Sequence, residues 1–285
     1  MFAISVSRAL RRKRIPRFPN RAGTPPRVRL GRPAAMLHSP TMNLPPVDLN
    51  YLRESFNELA ARVQEFWETS ALAQEDSNEP VMLSDAMSQL VDMLNHIQRA
   101  DSTDNSAPAE INTLCEYGLH LLDDLAQQAK QLKQADLAKQ IERLSLPYAL
   151  WFARNGSELR QLTTIVNALA QLANQASRPQ TMAELYIQCC ELIEATSPSL
   201  EDSASGNPEH PWRLLLLNRA IVATRSHNPE LMEPAFDAIV EYLPQDAAGF
   251  FAEGMEQMAI IDYPAPVREV VKRYFVACAS PRRLH

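Results

Sequence analysis

Glu116, His120 and Asp124 follow one another at four-residue intervals in a stretch whose apolar residues recur at helical spacing. On a helix that interval stacks side chains along one face. Imidazole and carboxylate groups are ligands for zinc and other divalent ions. The row is therefore the candidate site of a helical-bundle metal-binding protein or enzyme. The competing reading is a solvated face beside the apolar stripe of Leu114, Leu121 and Leu125. A di-iron bundle needs Glu-x-x-His on two helices, and no Glu-x-x-His occurs in the chain. Zincin, dinucleotide-binding, Walker and Gly-x-Ser-x-Gly signatures are also missing. Asp123-Asp124 and Glu201-Asp202 are adjacent acids that diverge on a helix, so neither forms a general acid/base pair by itself. No cofactor is implied, and the expectation is a non-enzymatic protein.

The four cysteines, Cys115, Cys189, Cys190 and Cys278, include no Cys-x-x-Cys. Cys189 and Cys190 point about 100° apart on a helix, which disfavours a bond between them. Reduced core thiols fit a reducing compartment, and no apolar run reaches the roughly 20 residues of a membrane span. The expected location is the cytoplasm.

Charge is unevenly placed. Residues 1–41 hold nine Arg and one Lys and no acid. Ten of the chain's 28 basic residues are thus in that segment, leaving 18 against 34 acids, a net of −16 for the remainder. An Arg- and Pro-rich stretch without an apolar pattern cannot bury a core, so residues 1–41 read as a disordered basic tail. It fits a mitochondrial-type presequence or a basic patch around Arg11-Arg12-Lys13-Arg14. It also fits upstream sequence, with the start at Met36 or Met42, and this third reading is favoured. The acidic remainder argues against nucleic acid, which needs clustered Lys and Arg.

Only 7 of 285 residues are Gly, against a usual ~7%, and no period-2 alternation marks a strand. The chain reads as all-α from 42 to 278, with a short tail at 279–285 and a possible division at the Ser-, Glu- and Pro-rich loop 197–210. Asp48 is the expected cap of the first helix, with Leu49, Leu52, Phe56, Leu59, Val63 and Phe66 inward. Met82, Leu83, Ala86, Leu90, Met93, Leu94 and Ile97 mark the second helix. Ser106 and Pro108 open the third, with a break expected near Gln134 and Asp136 as the next cap. Leu146-Pro147 starts a short helix that Asn155-Gly156 stops. Ser157 is the expected cap of the next, and Thr181 to Glu184 has capping-box spacing. Trp151, Trp212 and Phe250-Phe251 read as core anchors.

From Pro211 to Cys278 the periodic segments are separated by connections of two to five residues, which place sequential helices side by side and antiparallel. Asn228-Pro229-Glu230 reads as a helix start, although Pro234 suggests a later one. Pro244 stops that helix, and Asp246 is the expected cap of the following one. Ala220, Phe236 and Pro244 stand at the small, aromatic and terminal-Pro positions of a 34-residue helical hairpin. Gly254 follows Ala220 by 34 residues, with Phe250 near the aromatic position. Here the chain resembles a tetratricopeptide-type repeat over residues 211–278. Leu216 and Met232 stand where that family prefers Trp and Ala.

The resemblance implies antiparallel hairpins stacked as an α-solenoid or helical array, and a protein-interaction or scaffold role. The first helix of each hairpin lines a concave groove in that family. Its groove positions fall on Leu214, Leu217, Ile221, Thr224 and Arg225, then on Ala248, Phe251, Met255 and Met258. So apolar a face is expected to be covered by the C-terminal helix, by a second copy, or by a partner's apolar helix. The alternative is that these side chains are ordinary core.

Overall fold

A computed structural model describes residues 44–70, 79–100, 108–202 and 207–279. The expectations for residues 1–41 and for Ser106, and most of the tail from 279, lie outside the described residues. Of those described, 83% are helical and none belongs to a strand.

The helices are α1 (Leu49–Glu68), α2 (Glu79–Ala100), α3 (Pro108–Gln131), α4 (Ala135–Arg143), α5 (Ser145–Arg154) and α6 (Thr163–Gln175). They continue as α7 (Pro179–Glu194), α8 (Pro198–Asp202), α9 (Pro211–Arg225), α10 (Pro229–Tyr242), α11 (Pro244–Ile260) and α12 (Ala265–Ala279). The pairs α1–α2, α3–α4, α9–α10 and α11–α12 pack as sequence neighbours, in the manner of a helical array. The middle of the chain departs from that rule. Helices α6 and α7 barely touch; α6 packs on α4 and α5, while α7 packs on α9 and α5. The cause is α5, which is buried continuously from Ser145 to Phe152 and separates its neighbours as a central rod.

Local chemistry sets the helix ends. The Asp48 carboxylate accepts from Tyr51 N at 2.9 Å, capping α1. The Asn228 side chain accepts from Glu230 N at 3.0 Å at the start of α10. That helix runs through Pro234. The missing proline N–H leaves the carbonyl of Glu230, an exposed residue, to solvent. The break after α3 falls at Lys133, whose φ of 60° is left-handed. Gly156, at φ 77°, ends α5.

Several expected ends and stripes move. Helix α6 starts at Thr163, not after Ser157. The intervening backbone pairs with the end of α7: Leu159 N donates to Ala195 O at 2.7 Å, and Ser197 N donates to Leu159 O at 2.9 Å. Leu159 and Leu162 are still buried, but from the segment that precedes the helix, Leu159 in a bridge to Thr196 and Leu162 as the residue before Thr163. Helix α7 begins at Pro179, where a first-turn Pro loses no hydrogen bond, so Thr181 sits buried inside the helix rather than capping it. Asp136 and Asp246 lie within first turns instead of at caps. In α1 the stripe steps from Val63 to Trp67, leaving Phe66 40% exposed. Met82 and Met93 are exposed on α2, and Met87 and Val91 fill the core in their place.

One hydrophobic cluster links Leu49 to Val271. At its centre the Tyr148 hydroxyl donates to Leu114 O at 2.7 Å. Gly118 makes that approach possible, because a Cβ there would overlap the Tyr148 hydroxyl. None of the described helices is long and apolar enough to cross a membrane.

Candidate functional site

Helices α9, α10, α11 and α12 enclose a pocket of about 90 Å³. Its apolar wall comes from Leu217, Ile221, Phe250, Phe251, Met258 and Val271, with Phe236 from α10. Thr224, Arg225, Glu253, Gln257 and Tyr263 add polar groups. The wall is rigid on one side. Phe236 meets Phe251 and Tyr274 edge-on, at centroid distances of 5.0 and 5.2 Å, a preferred aromatic geometry. Gly254 keeps the pocket open against α12, since a Cβ there would press on Val271 at 3.2 Å.

The positions expected for the groove divide into two groups. Leu214, Leu217 and Phe251 are buried, Phe251 completely, and are core side chains rather than an open docking face. Helix α12, whose Val267, Val270 and Val271 are buried, packs on α11 and sets Tyr274 against the Phe251 ring at 5.3 Å. Ile221, Thr224, Arg225, Met255 and Met258 are half-buried, and Ala248 is exposed. Leu217, Ile221, Thr224, Arg225, Phe251 and Met258 meet at the pocket; Leu214, Ala248 and Met255 lie outside its lining. Residues missed by sequence reasoning are Gln257 and Tyr263. Tyr263 sits in the turn before α12 and is carried into the pocket by the chain's return.

Two arginines show how charge is handled here. Arg213 is largely buried and grips Asp246 with two bonds, of 2.7 and 2.6 Å, tying α9 to α11. Arg225 has no carboxylate partner among the described residues. Its guanidinium donates to Ala173 O and Ala176 O, each at 2.7 Å, closing the C-terminal end of α6. Burial pulls its pKa below the usual value, and the group remains a cation. Beside it Tyr263 is pushed above its ordinary pKa by burial, an effect that the Arg225 charge partly offsets. The Tyr263 hydroxyl and the Gln257 side-chain amide make no hydrogen bond among the described residues.

The other candidates do not assemble. Glu116 is half-buried, while His120 and Asp124 are exposed. The row spans about 12 Å along α3 at 1.5 Å per residue, too long for one ion. The His120 ring lies 3.5 Å from the Gln161 amide. No group of three His, Cys, Asp or Glu side chains converges among the described residues. Cys115 and Cys189 are buried thiols. Burial, with Glu116 second, pushes Cys115 up to about 12, and burial likewise raises Cys189. Neither has the character of a nucleophile. No family model, curated protein or solved structure matches the chain.

Proposed function

We propose that the protein is a non-enzymatic interaction module built from tetratricopeptide-like helical hairpins. The observation that supports this reading is a row of half-buried side chains on α9 and α11, the first helices of the last two hairpins. Ile221, Arg225, Met255 and Met258 form this row. Half-buried apolar groups flanking a pocket suit a partner polypeptide that contributes an apolar anchor. Leu214, Leu217 and Phe251 support the row from beneath.

Photo-reactive residues placed at Met255 and Met258 in the native host test the proposal, with Lys139 on α4 as control. Adducts with one polypeptide from both α11 positions, and none from 139, are expected. Adducts no more frequent at 255 and 258 than at 139 refute an interaction through this face. Sedimentation equilibrium of the purified chain shows whether the partner is a second copy.

A further inference from the structure

The pocket between α9 and α12 goes beyond a protein-docking reading, because the fold uses only part of the Arg225 guanidinium and neither the Tyr263 hydroxyl nor the Gln257 amide that line it. A small-ligand site combines an apolar enclosure with a few convergent polar groups. The polar groups here are Arg225, Tyr263 and Gln257. A guanidinium carries five N–H donors, and two of the Arg225 bonds go to main-chain carbonyls. The remaining donors, the Tyr263 hydroxyl and the Gln257 amide have no protein acceptor among the described residues. A half-buried cation without a counter-ion is costly, and a bound anion offsets that cost. Glu253, which also lines the pocket, opposes a second negative charge and so disfavours phosphate-like groups.

Size restricts the rest of the ligand. The pocket's 90 Å³ compares with the roughly 150 Å³ of a cavity that takes benzene, which leaves room for about four carbon atoms. We propose that this pocket binds a small monocarboxylic acid with a compact branched apolar body, its carboxylate held by Arg225 and Tyr263 and its body against Ile221, Phe251 and Met258. A single carboxylate on a short apolar body can also stand at the end of a polypeptide. The site is assigned to the free acid, whose whole apolar body matches the pocket's volume.

The test uses the full chain and ligand-observed NMR with 3-methylbutanoate, 3-methylbutanamide and acetyl-Ala-Ala-Leu. The acid should bind saturably, with Kd on the order of 1 mM or tighter, and the amide at least about tenfold more weakly. Met258→Trp fills the pocket and should abolish binding with an unchanged melting temperature. Arg225→Gln also removes bonds that hold α6 and can unfold the chain, so Tyr263→Phe is the second probe. It should weaken the acid several-fold and leave the amide unaffected. Equal binding of acid and amide overturns carboxylate recognition. Binding retained in Met258→Trp places the ligand elsewhere and overturns the site. A tripeptide that binds more than tenfold tighter than the acid assigns the pocket to a chain terminus and overturns the free-acid assignment. No saturable binding of the acid overturns the proposal outright.

Discussion

Replacing Lys133 with Gly isolates the cost of one left-handed residue at a helix end. Lys133 follows α3 with φ 60°. Its N–H donates to Lys130 O at 2.9 Å, and Gln134 N donates to Ala129 O at 2.8 Å. These bonds form the Schellman pattern, which favours Gly at the left-handed position. The same molecule uses Gly there after α5, where Gly156 N donates to Ala153 O at 3.1 Å and Ser157 N to Phe152 O at 3.0 Å. Lys133 is exposed and its side chain makes no hydrogen bond or ion pair among the described residues. A residue with a Cβ costs about 1–2 kcal/mol in this conformation. Glycine returns about 0.5–1 kcal/mol of that through the greater freedom of the unfolded chain. Lys133→Gly should therefore stabilise by about 0.5–1 kcal/mol and raise Tm by roughly 1–4 °C. Thermal and urea unfolding followed by circular dichroism at 222 nm measure the change, with Lys133→Ala as the control that keeps the Cβ. Glycine no more stable than alanine refutes the strain argument. His227 shares the same φ of 60°, but its ring meets Tyr263 edge-on at 5.4 Å. Loss of that contact, worth about 0.5–1.5 kcal/mol, should leave His227→Gly near neutral.

Gly118→Ala should destabilise by about 2–4 kcal/mol, because the added methyl displaces the Tyr148 hydroxyl from Leu114 O; a urea midpoint within error of wild type contradicts the packing described. Phe251→Ser should cost about 3–5 kcal/mol, since the ring is fully buried among Phe236 and Tyr274, whereas Met255→Ser should leave Tm within a few degrees; equal losses in differential scanning fluorimetry would contradict this division of core and surface. Cys115 is neutral at pH 8, its pKa being raised from 9.0 to about 12. A raised thiol binds its proton more tightly in the folded than in the unfolded chain, so its contribution is present below pH 9 and is lost as pH rises toward about 12. Urea midpoints should fall across that window, and Cys115→Ser should reduce the slope; a slope unchanged by the substitution would exclude Cys115 as its source.

The helices themselves were legible in the sequence. The caps at Asp48 and Asn228, the stop at Gly156 and the break before α4 depend on contacts within a few residues, so local chemistry decides them. Helix content follows from periodicity for the same reason. The locations of Phe66, Met82 and Met93 were not legible, because a stripe read as three-or-four spacing can rotate by one residue, and only the facing helix selects Trp67 or Met87. Asp246 has the spacing of a cap, yet a bidentate bond from Arg213, 33 residues earlier, uses its carboxylate in another way. Of the expected groove positions, Leu217, Ile221, Thr224, Arg225, Phe251 and Met258 line one pocket, and Leu214, Ala248 and Met255 do not. For Phe251 the core position was settled by α12, which packs on α11 and sets Tyr274 against its ring, while Leu214 and Leu217 lie on α9, which packs on α7 and α10. Tyr263 and Gln257 carried no signal at all. They reach the pocket that Arg225 lines only through the chain's return, and a sequence pattern does not record which helix covers which.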